Sequence, residues 1–200
     1  MKRILFFIFA STLLFFSCVS VHVPIPGETE VKKNNIYVEY MNIADAYNEL
    51  GKYDKASVYY NYAMKNKSLR WSAYYKLGRA YAMNKDWFSA QKVYEHLLKR
   101  DSENTSLKMS LAYIYAMSGN LDDSEELYRT LYSENPDNSD ILVNYINVLF
   151  AKNKYDQVRL KLAELKEKFK DNASISSFEN KLEEINELEE PEKPTDSANS

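Results

Sequence analysis

The 200-residue sequence has little cysteine, histidine, glycine or proline: one, two, four and five residues, respectively. A single cysteine, Cys18, excludes an internal disulfide. The low glycine and proline content argues against a turn-rich all-β fold and favours long helices. With a net charge of −3, the chain also lacks the basic excess that is typical of nucleic-acid-binding proteins. Tyrosine, in contrast, is abundant, at 17 residues.

The sequence lacks a recognisable catalytic or metal-binding motif. The two histidines are His22, in a predicted linker, and His96, on a predicted helix, and no Gly-rich phosphate loop is present. The adjacent acids Glu125 and Glu126 would point in different directions on a helix, so they are better read as solvated surface than as an acid–base pair. We therefore predict that the protein is not an enzyme and binds no metal or cofactor.

The N-terminus has the layout of an export signal. A positive start precedes an almost wholly apolar run, Ile4 to Phe16, which is shorter than the ~20 residues that a membrane-spanning helix needs. The stretch Leu14 to Cys18 resembles a bacterial lipobox, although Phe15 stands where leucine is preferred. The resemblance implies a signal peptide at residues 1–17 and acyl chains such as palmitate on Cys18, which would anchor the protein to a bilayer. A lone acyl chain binds membranes only marginally, so stable anchoring requires more than one.

Two alternatives stay open at the N-terminus: an uncleaved anchor helix, or an ordinary signal cut elsewhere that leaves Cys18 as a free thiol. Residues 18–34 are predicted to form a flexible tether, because Pro24 and Pro26 prevent a helix around them and the following residues are polar. At the other end, residues 191–200 contain no hydrophobic residue that could anchor them, and we predict a disordered tail.

A spacing of 34 residues runs through most of the chain. It separates Tyr47, Tyr81 and Tyr115, and also Tyr60, Tyr94 and Tyr128. A fixed period in this range indicates a solenoid of small repeats. Four units can be aligned, near residues 37–70, 71–104, 105–138 and 139–172, each reading as two helices joined by a short turn. An amphipathic pattern over residues 173–190 then predicts a capping helix, within a repeat domain of residues 35–190.

The repeat pattern resembles the tetratricopeptide repeat family. The matching residues in the second unit are Tyr74, Leu77, Gly78, Tyr81, Ala90 and Tyr94, and Pro136 matches the family's proline in the third. The fourth unit departs from the pattern, with Ile146, Leu149 and Val158 replacing the usual small and aromatic residues. The resemblance implies an all-α fold, a right-handed α-solenoid of about four helix pairs with a C-terminal capping helix.

The resemblance also implies a binding surface. In this family the first helices line a concave groove that often holds an extended peptide or a partner helix. By register, the groove here would present Met41, Asp45, Asn48, Tyr75, Arg79, Met83, Met109, Tyr113, Met117, Asn144, Asn147 and Phe150. Some members use a Lys/Asn/Arg clamp for a C-terminal carboxylate. Met41 and Asp45 stand where the clamp's first unit needs Lys and Asn, and Ser106 and Ser110 stand where its third needs basic residues.

These side chains suit a protein or peptide partner with apolar anchors, because methionine adapts to apolar ligands and tyrosine and arginine are common interface anchors. The alternative, that several of them only pack between neighbouring units, stays open. The sequence thus predicts a membrane-anchored adaptor or scaffold in a bacterial cell envelope. The second hypothesis is a stoichiometric structural subunit of an envelope machine, which would use other surfaces.

Overall fold

The computed structural model describes residues 27–189, and these form nine α-helices and no strand. The helices are α1 (Glu28–Glu49), α2 (Tyr53–Ala63), α3 (Arg70–Met83), α4 (Trp87–Arg100), α5 (Thr105–Met117), α6 (Leu121–Glu134), α7 (Ser139–Ala151), α8 (Tyr155–Lys168) and α9 (Ser174–Glu189). The predicted all-α fold is confirmed. The predicted signal peptide, Cys18 and the tail at 191–200 lie outside the described residues, as does most of the predicted tether.

The first helix of every pair ends in the same turn. Gly51, Lys85, Gly119 and Asn153 are 34 residues apart, and all have positive φ angles, of 68°, 60°, 87° and 55°. The next amide then donates to the carbonyl five residues earlier, as Lys52 N does to Tyr47 O at 2.8 Å. This is the Schellman arrangement, which satisfies carbonyls at a helix end. In the second unit the left-handed residue is Lys85, not Asn84, whose φ is −82°.

Small side chains lie where the two helices of a unit cross. The same position is held by Ala44, Gly78 and Ala112 in units one, two and three. Both alanines are fully buried, and Gly78 is buried as well. A Cβ atom on Gly78 would lie 2.6 Å from Cγ1 of Val93, too close for any real contact. In the fourth unit Ile146 takes this place and is also fully buried, so the space at this crossing accommodates a large side chain.

The core follows the order of the chain, because each helix from α2 onward packs against the next. One apolar cluster joins α1, α2 and α3 around Tyr60 and Leu77, and a second joins α4 and α5 around Tyr94 and Leu111. The largest cluster extends from α5 to α9, and its members include the buried Phe178 of α9. The amphipathic pattern that predicted a capping helix therefore forms a helix whose apolar face joins the core.

Charged side chains tie α6 to α8 and to the turn before it. Glu125 lies 2.7 Å from Lys154 Nζ and also pairs with Lys152. Tyr132 donates a 2.7 Å hydrogen bond to Glu164, which also pairs with Lys161 and Lys168. Burial raises the pKa of the Glu164 carboxyl, but the hydrogen bonds from Tyr132 and the two lysines outweigh burial and lower the pKa to about 2.

The start of α1 differs from the predicted tether. The segment from Glu28 to Asn34 is helical, although the sequence analysis placed it in a flexible linker. Glu28 and Glu30 lie in the first turn, where acidic groups favour the helix dipole, and Lys32 pairs with Glu28 at 2.6 Å. By packing, the chain divides into two compact units between Ile36 and Tyr37, and this segment belongs to the first. Over residues 27–189, no helix combines the length and apolar character needed to cross a bilayer.

Candidate protein-binding groove

Six of the predicted groove residues line one cavity of about 330 Å³. They are Tyr75, Arg79 and Met83 of α3, Met109 and Tyr113 of α5, and Asn144 of α7. The three residues of α3 are four apart, a spacing that places them on one face of a helix. We call the cavity and these six residues the groove. First helices of units two, three and four therefore converge on it.

The floor of the groove is formed by tyrosines of the second helices. Tyr94 of α4 and Tyr128 of α6 are 4% and 2% exposed and also line the cavity. The Tyr94 ring meets Tyr75 edge-on at 6.1 Å, and the Tyr128 hydroxyl donates to the Met109 carbonyl at 3.4 Å. Burial raises the pKa of both hydroxyls.

The rim of the groove exposes large apolar side chains. Tyr75, Met83 and Tyr113 are 40%, 50% and 48% exposed. The Tyr113 ring also packs edge-on against Trp87 at 6.4 Å, which restrains it from one side. A rim of partly restrained aromatic and thioether side chains has apolar surface to bury when a ligand enters.

Arg79 lies at the polar side of the groove. It also lines a smaller cavity of about 200 Å³, together with Asp45, Asn48, Glu49, Tyr60 and Lys76. Among residues 27–189, no carboxylate is within ion-pairing distance of its guanidinium. Its charge nevertheless acts locally, since it opposes the rise in pKa that burial causes at Tyr60 and Tyr94.

Asp45, a predicted groove residue, instead ties α1 to α3. Lys76 Nζ lies 2.6 and 2.8 Å from its two carboxylate oxygens, and the Tyr60 hydroxyl donates to it at 2.7 Å. The pKa of Tyr60 is raised, first by burial and then by this hydrogen bond. Asp45 therefore has its hydrogen-bonding capacity largely used within the fold.

Other predicted residues also lie away from the groove. Met41 packs against the cluster of α1, α2 and α3, while Met117 and Asn147 are exposed but do not line the cavity. Phe150 is the clearest correction. It is 4% exposed, because Phe178 of the capping helix covers it with ring centres 5.6 Å apart. The family register gave no sign of this, since the cap is not part of a repeat.

The groove also contains residues that the sequence analysis did not assign to it. Tyr94 and Tyr128 were recognised only as members of the 34-residue pattern, and Ser110 only as a departure from the carboxylate clamp. Ala82 and Ile114 were not singled out. A further cavity, of about 670 Å³, is bounded by Tyr75, Arg100, Asn104 and Ser106 among others. Tyr75 lines both cavities, so the recess continues past it toward the loop between units two and three. Within the described part of the chain, no group of histidine, cysteine or acidic residues is arranged to hold a metal ion.

Comparison with known proteins identifies the repeat. Two family models, both described as tetratricopeptide repeat, match this sequence: one at residues 41–88 and 87–139, the other at residues 115–182. No curated protein matches the sequence.

Several solved structures are similar in fold. A tetratricopeptide repeat protein from Parabacteroides merdae has a TM-score of 0.62 at 19% identity, covering 80% of this chain and 68% of that one. YrrB, described as having an unusual peptide-binding site, has a TM-score of 0.57 at 18% identity, with 81% and 84% covered. MamA from Desulfovibrio magneticus has a TM-score of 0.59 at 11% identity, with 78% and 97% covered. At these identities the similarity shows the fold alone.

Proposed function

Because this chain belongs to the tetratricopeptide repeat family, we propose that it is an adaptor that binds a segment of a partner protein in its groove. The observation that carries the proposal is the convergence of α3, α5 and α7 on one cavity with a half-exposed apolar rim. A repeat solenoid offers an extended surface of this kind for binding.

The residue types of the groove suit a peptide. Tyr75, Tyr113 and Arg79 are of the types that contribute most at protein interfaces, and Met83 and Met109 adapt to different apolar side chains. The Asn144 side chain can both donate to and accept from a peptide backbone. YrrB, which shares this fold, is described as having a peptide-binding site, and a peptide is the type of ligand that we propose here.

We place this adaptor at a bacterial membrane. The support is the layout of the first 17 residues and the lipobox-like stretch that ends at Cys18. Lipid on Cys18 would hold the repeat domain close to the bilayer, so the partner would be recruited in the cell envelope.

The groove is tested by a double variant, Tyr75→Ala/Tyr113→Ala, in intact cells. Crosslinking, recovery of the protein and mass spectrometry identify the proteins that bind the unaltered chain. We expect the variant to lose the specific partner, and a peptide from that partner to bind the purified unaltered chain. Phe88→Ala is the matched control, since Phe88 is 67% exposed on α4 and does not line the cavity. Undiminished recovery with the double variant would show that the partner uses another surface.

The anchor is tested separately with Cys18→Ser. Cells grown with labelled palmitate should incorporate label into the unaltered chain, and the variant should lose both the label and its membrane fractionation. A variant that stays with the membrane at unchanged mass would contradict lipidation at Cys18.

A further inference from the structure

We infer that the segment bound in the groove carries an aspartate or glutamate beside its apolar anchor, and that Arg79 binds this side-chain carboxylate. The inference rests on the proposed function, because it names the chemistry of the ligand in the same groove. Two features of residues 27–189 support it that apolar anchoring alone does not require: a guanidinium that forms no ion pair there and a buried acceptor that has no hydrogen-bond partner there.

The Arg79 guanidinium is available to a ligand. It is exposed, lines both the groove and the smaller polar cavity, and forms no ion pair with residues 27–189. The other cation of the polar cavity, Lys76, is already paired with Asp45. Glu49 lines the same cavity, but its carboxylate is beyond ion-pairing distance of Arg79. A cation at the edge of an apolar recess favours an anionic group on the ligand.

Asn48 supplies the second feature. Its side-chain oxygen, Oδ1, is buried and accepts no hydrogen bond within the described chain, although the residue lines the polar cavity beside Arg79. A buried acceptor without a donor is costly, and such atoms are uncommon in folded proteins. Because Oδ1 has almost no exposed surface, the Asn48 side chain must turn toward the cavity before a peptide N–H can reach it. With that side chain turned, the polar cavity offers one acceptor and one cation, which complement the backbone N–H and the carboxylate of an acidic residue.

The spacing along α3 predicts where the acidic residue lies. Tyr75 and Met83 are each four residues from Arg79, a rise of ~6 Å along the helix. In an extended segment, side chains two residues apart point the same way and are ~6.7 Å apart. A segment lying along α3 can therefore place an apolar side chain against Tyr75 or Met83 and a carboxylate on Arg79 when the two residues are two positions apart.

A C-terminal carboxylate is a different ligand, and the structure disfavours it. The family's clamp for a chain terminus uses several lysine, asparagine and arginine side chains. Here Met41 packs against the core at the first of those positions, Asp45 is paired with Lys76, and Ser110 lines the groove. One arginine with an adjacent apolar recess suits an internal acidic residue.

The test is selection from a phage library that displays random 12-residue peptides. The purified full chain, in detergent, is the bait, and the full-chain variants Arg79→Gln and Tyr75→Ala/Tyr113→Ala are selected in parallel. We expect peptides from the unaltered chain to be enriched in aspartate or glutamate two positions from an apolar residue. Synthetic copies should bind Arg79→Gln about tenfold more weakly, and their affinity for the unaltered chain should fall with added salt.

Arg129→Gln is the control, because Arg129 is an exposed arginine of α6, away from the groove, that pairs with Glu126 on the same helix. Its affinity for the peptides should match that of the unaltered chain. Peptides with an amidated C-terminus should bind as well as those with a free one. Loss of binding on amidation would identify the chain terminus as the ligand and overturn the inference.

Two further outcomes separate this inference from the proposed function. If the selected peptides lose binding to Tyr75→Ala/Tyr113→Ala but lack acidic residues and tolerate Arg79→Gln, the groove binds peptides and the acidic specificity is wrong. If no peptide is enriched over the double variant, the peptide-binding function of the groove fails as well.

Discussion

Helices α3 and α7 occupy the same place in units two and four, but only α3 leaves its inner face open. Four residues of α3 are buried, against seven of α7. The contrast is sharpest at one register position, where Ala82 lines the groove and Phe150 is buried under Phe178. A small residue here leaves a recess, whereas a large aromatic residue fills it.

The neighbouring helix explains the rest of the difference. The inner face of α3 borders α5 across the cavity, and the rim residues Tyr75 and Tyr113 face solvent. The end of α7 instead meets α9, whose Phe178 and Lys181 contact the Phe150 ring. An equal register therefore does not give an equal function, because a helix presents a binding face only where no later helix covers it.

The largest effect is expected from removing the covered aromatic ring. Phe150→Ala should lower the free energy of unfolding by about 3–5 kcal/mol, because it leaves a cavity between α7 and α9. Urea unfolding followed by circular dichroism measures this change. Phe88→Ala, on the exposed face of α4, should change it by less than about 0.5 kcal/mol. Similar values for the two variants would mean that the cap does not depend on Phe150.

Filling the open side should convert α3 into a helix like α7. Ala82→Phe would place an aromatic ring in the 330 Å³ cavity, so peptide affinity should fall at least about tenfold. The free energy of unfolding should change by less than about 1 kcal/mol, because the ring enters an existing recess. Titration with a selected peptide measures the affinity. Unchanged affinity in a folded variant would place the binding site elsewhere.

Low pH should lower the stability of the fourth unit in particular. The Glu164 pKa is lowered from its usual value near 4.5 to about 2, so its contribution to stability is complete above pH 4.5 and is lost as the pH falls toward 2. The equivalent position in unit two is His96, whose ring instead packs edge-on against Trp71 and Tyr74. Glu164→Gln should cost about 1 kcal/mol at pH 7 and flatten the decline in stability between pH 4.5 and 2.

Urea unfolding at several pH values measures the slope. Glu183→Gln, on the exposed side of α9, is the control and should keep the acid dependence of the unaltered chain. An identical slope for Glu164→Gln and the unaltered chain would show that other carboxylates carry the acid dependence.

The sequence was sufficient for the repeat and for much of the groove, but not for the places where the repeat ends. Spacing alone brought Arg79 and Tyr113, which are 34 residues apart, to one side, because residues in equal register share a face. It misjudged Phe150, since burial there depends on a capping helix outside the period. This error has a simple cause: a periodic pattern describes the average unit, and terminal units have different neighbours.

The sequence also could not predict which acidic and basic side chains form ion pairs. Asp45 was predicted to face a ligand. Instead, Lys76 of α3, 31 residues later in the chain, forms an ion pair with the Asp45 carboxylate on α1. Which of several lysines meets which acid depends on side-chain reach in the folded state, and a linear pattern does not contain it. Likewise, the 34-residue spacing does not distinguish Arg79, which forms no ion pair within residues 27–189, from a lysine or arginine that pairs within the fold.

The smallest effect concerns the turn that ends α3 and α7. Lys85 and Asn153 hold the same left-handed conformation, with φ of 60° and 55°. That conformation costs ordinary side chains about 1–2 kcal/mol, asparagine less, and glycine nothing, although glycine also gains freedom in the unfolded chain. Lys85→Gly should therefore raise the free energy of unfolding by about 0.5–1 kcal/mol, and Asn153→Gly by less. Urea unfolding compares them directly, and an equal or larger gain for Asn153→Gly would show that side-chain strain does not distinguish the two turns.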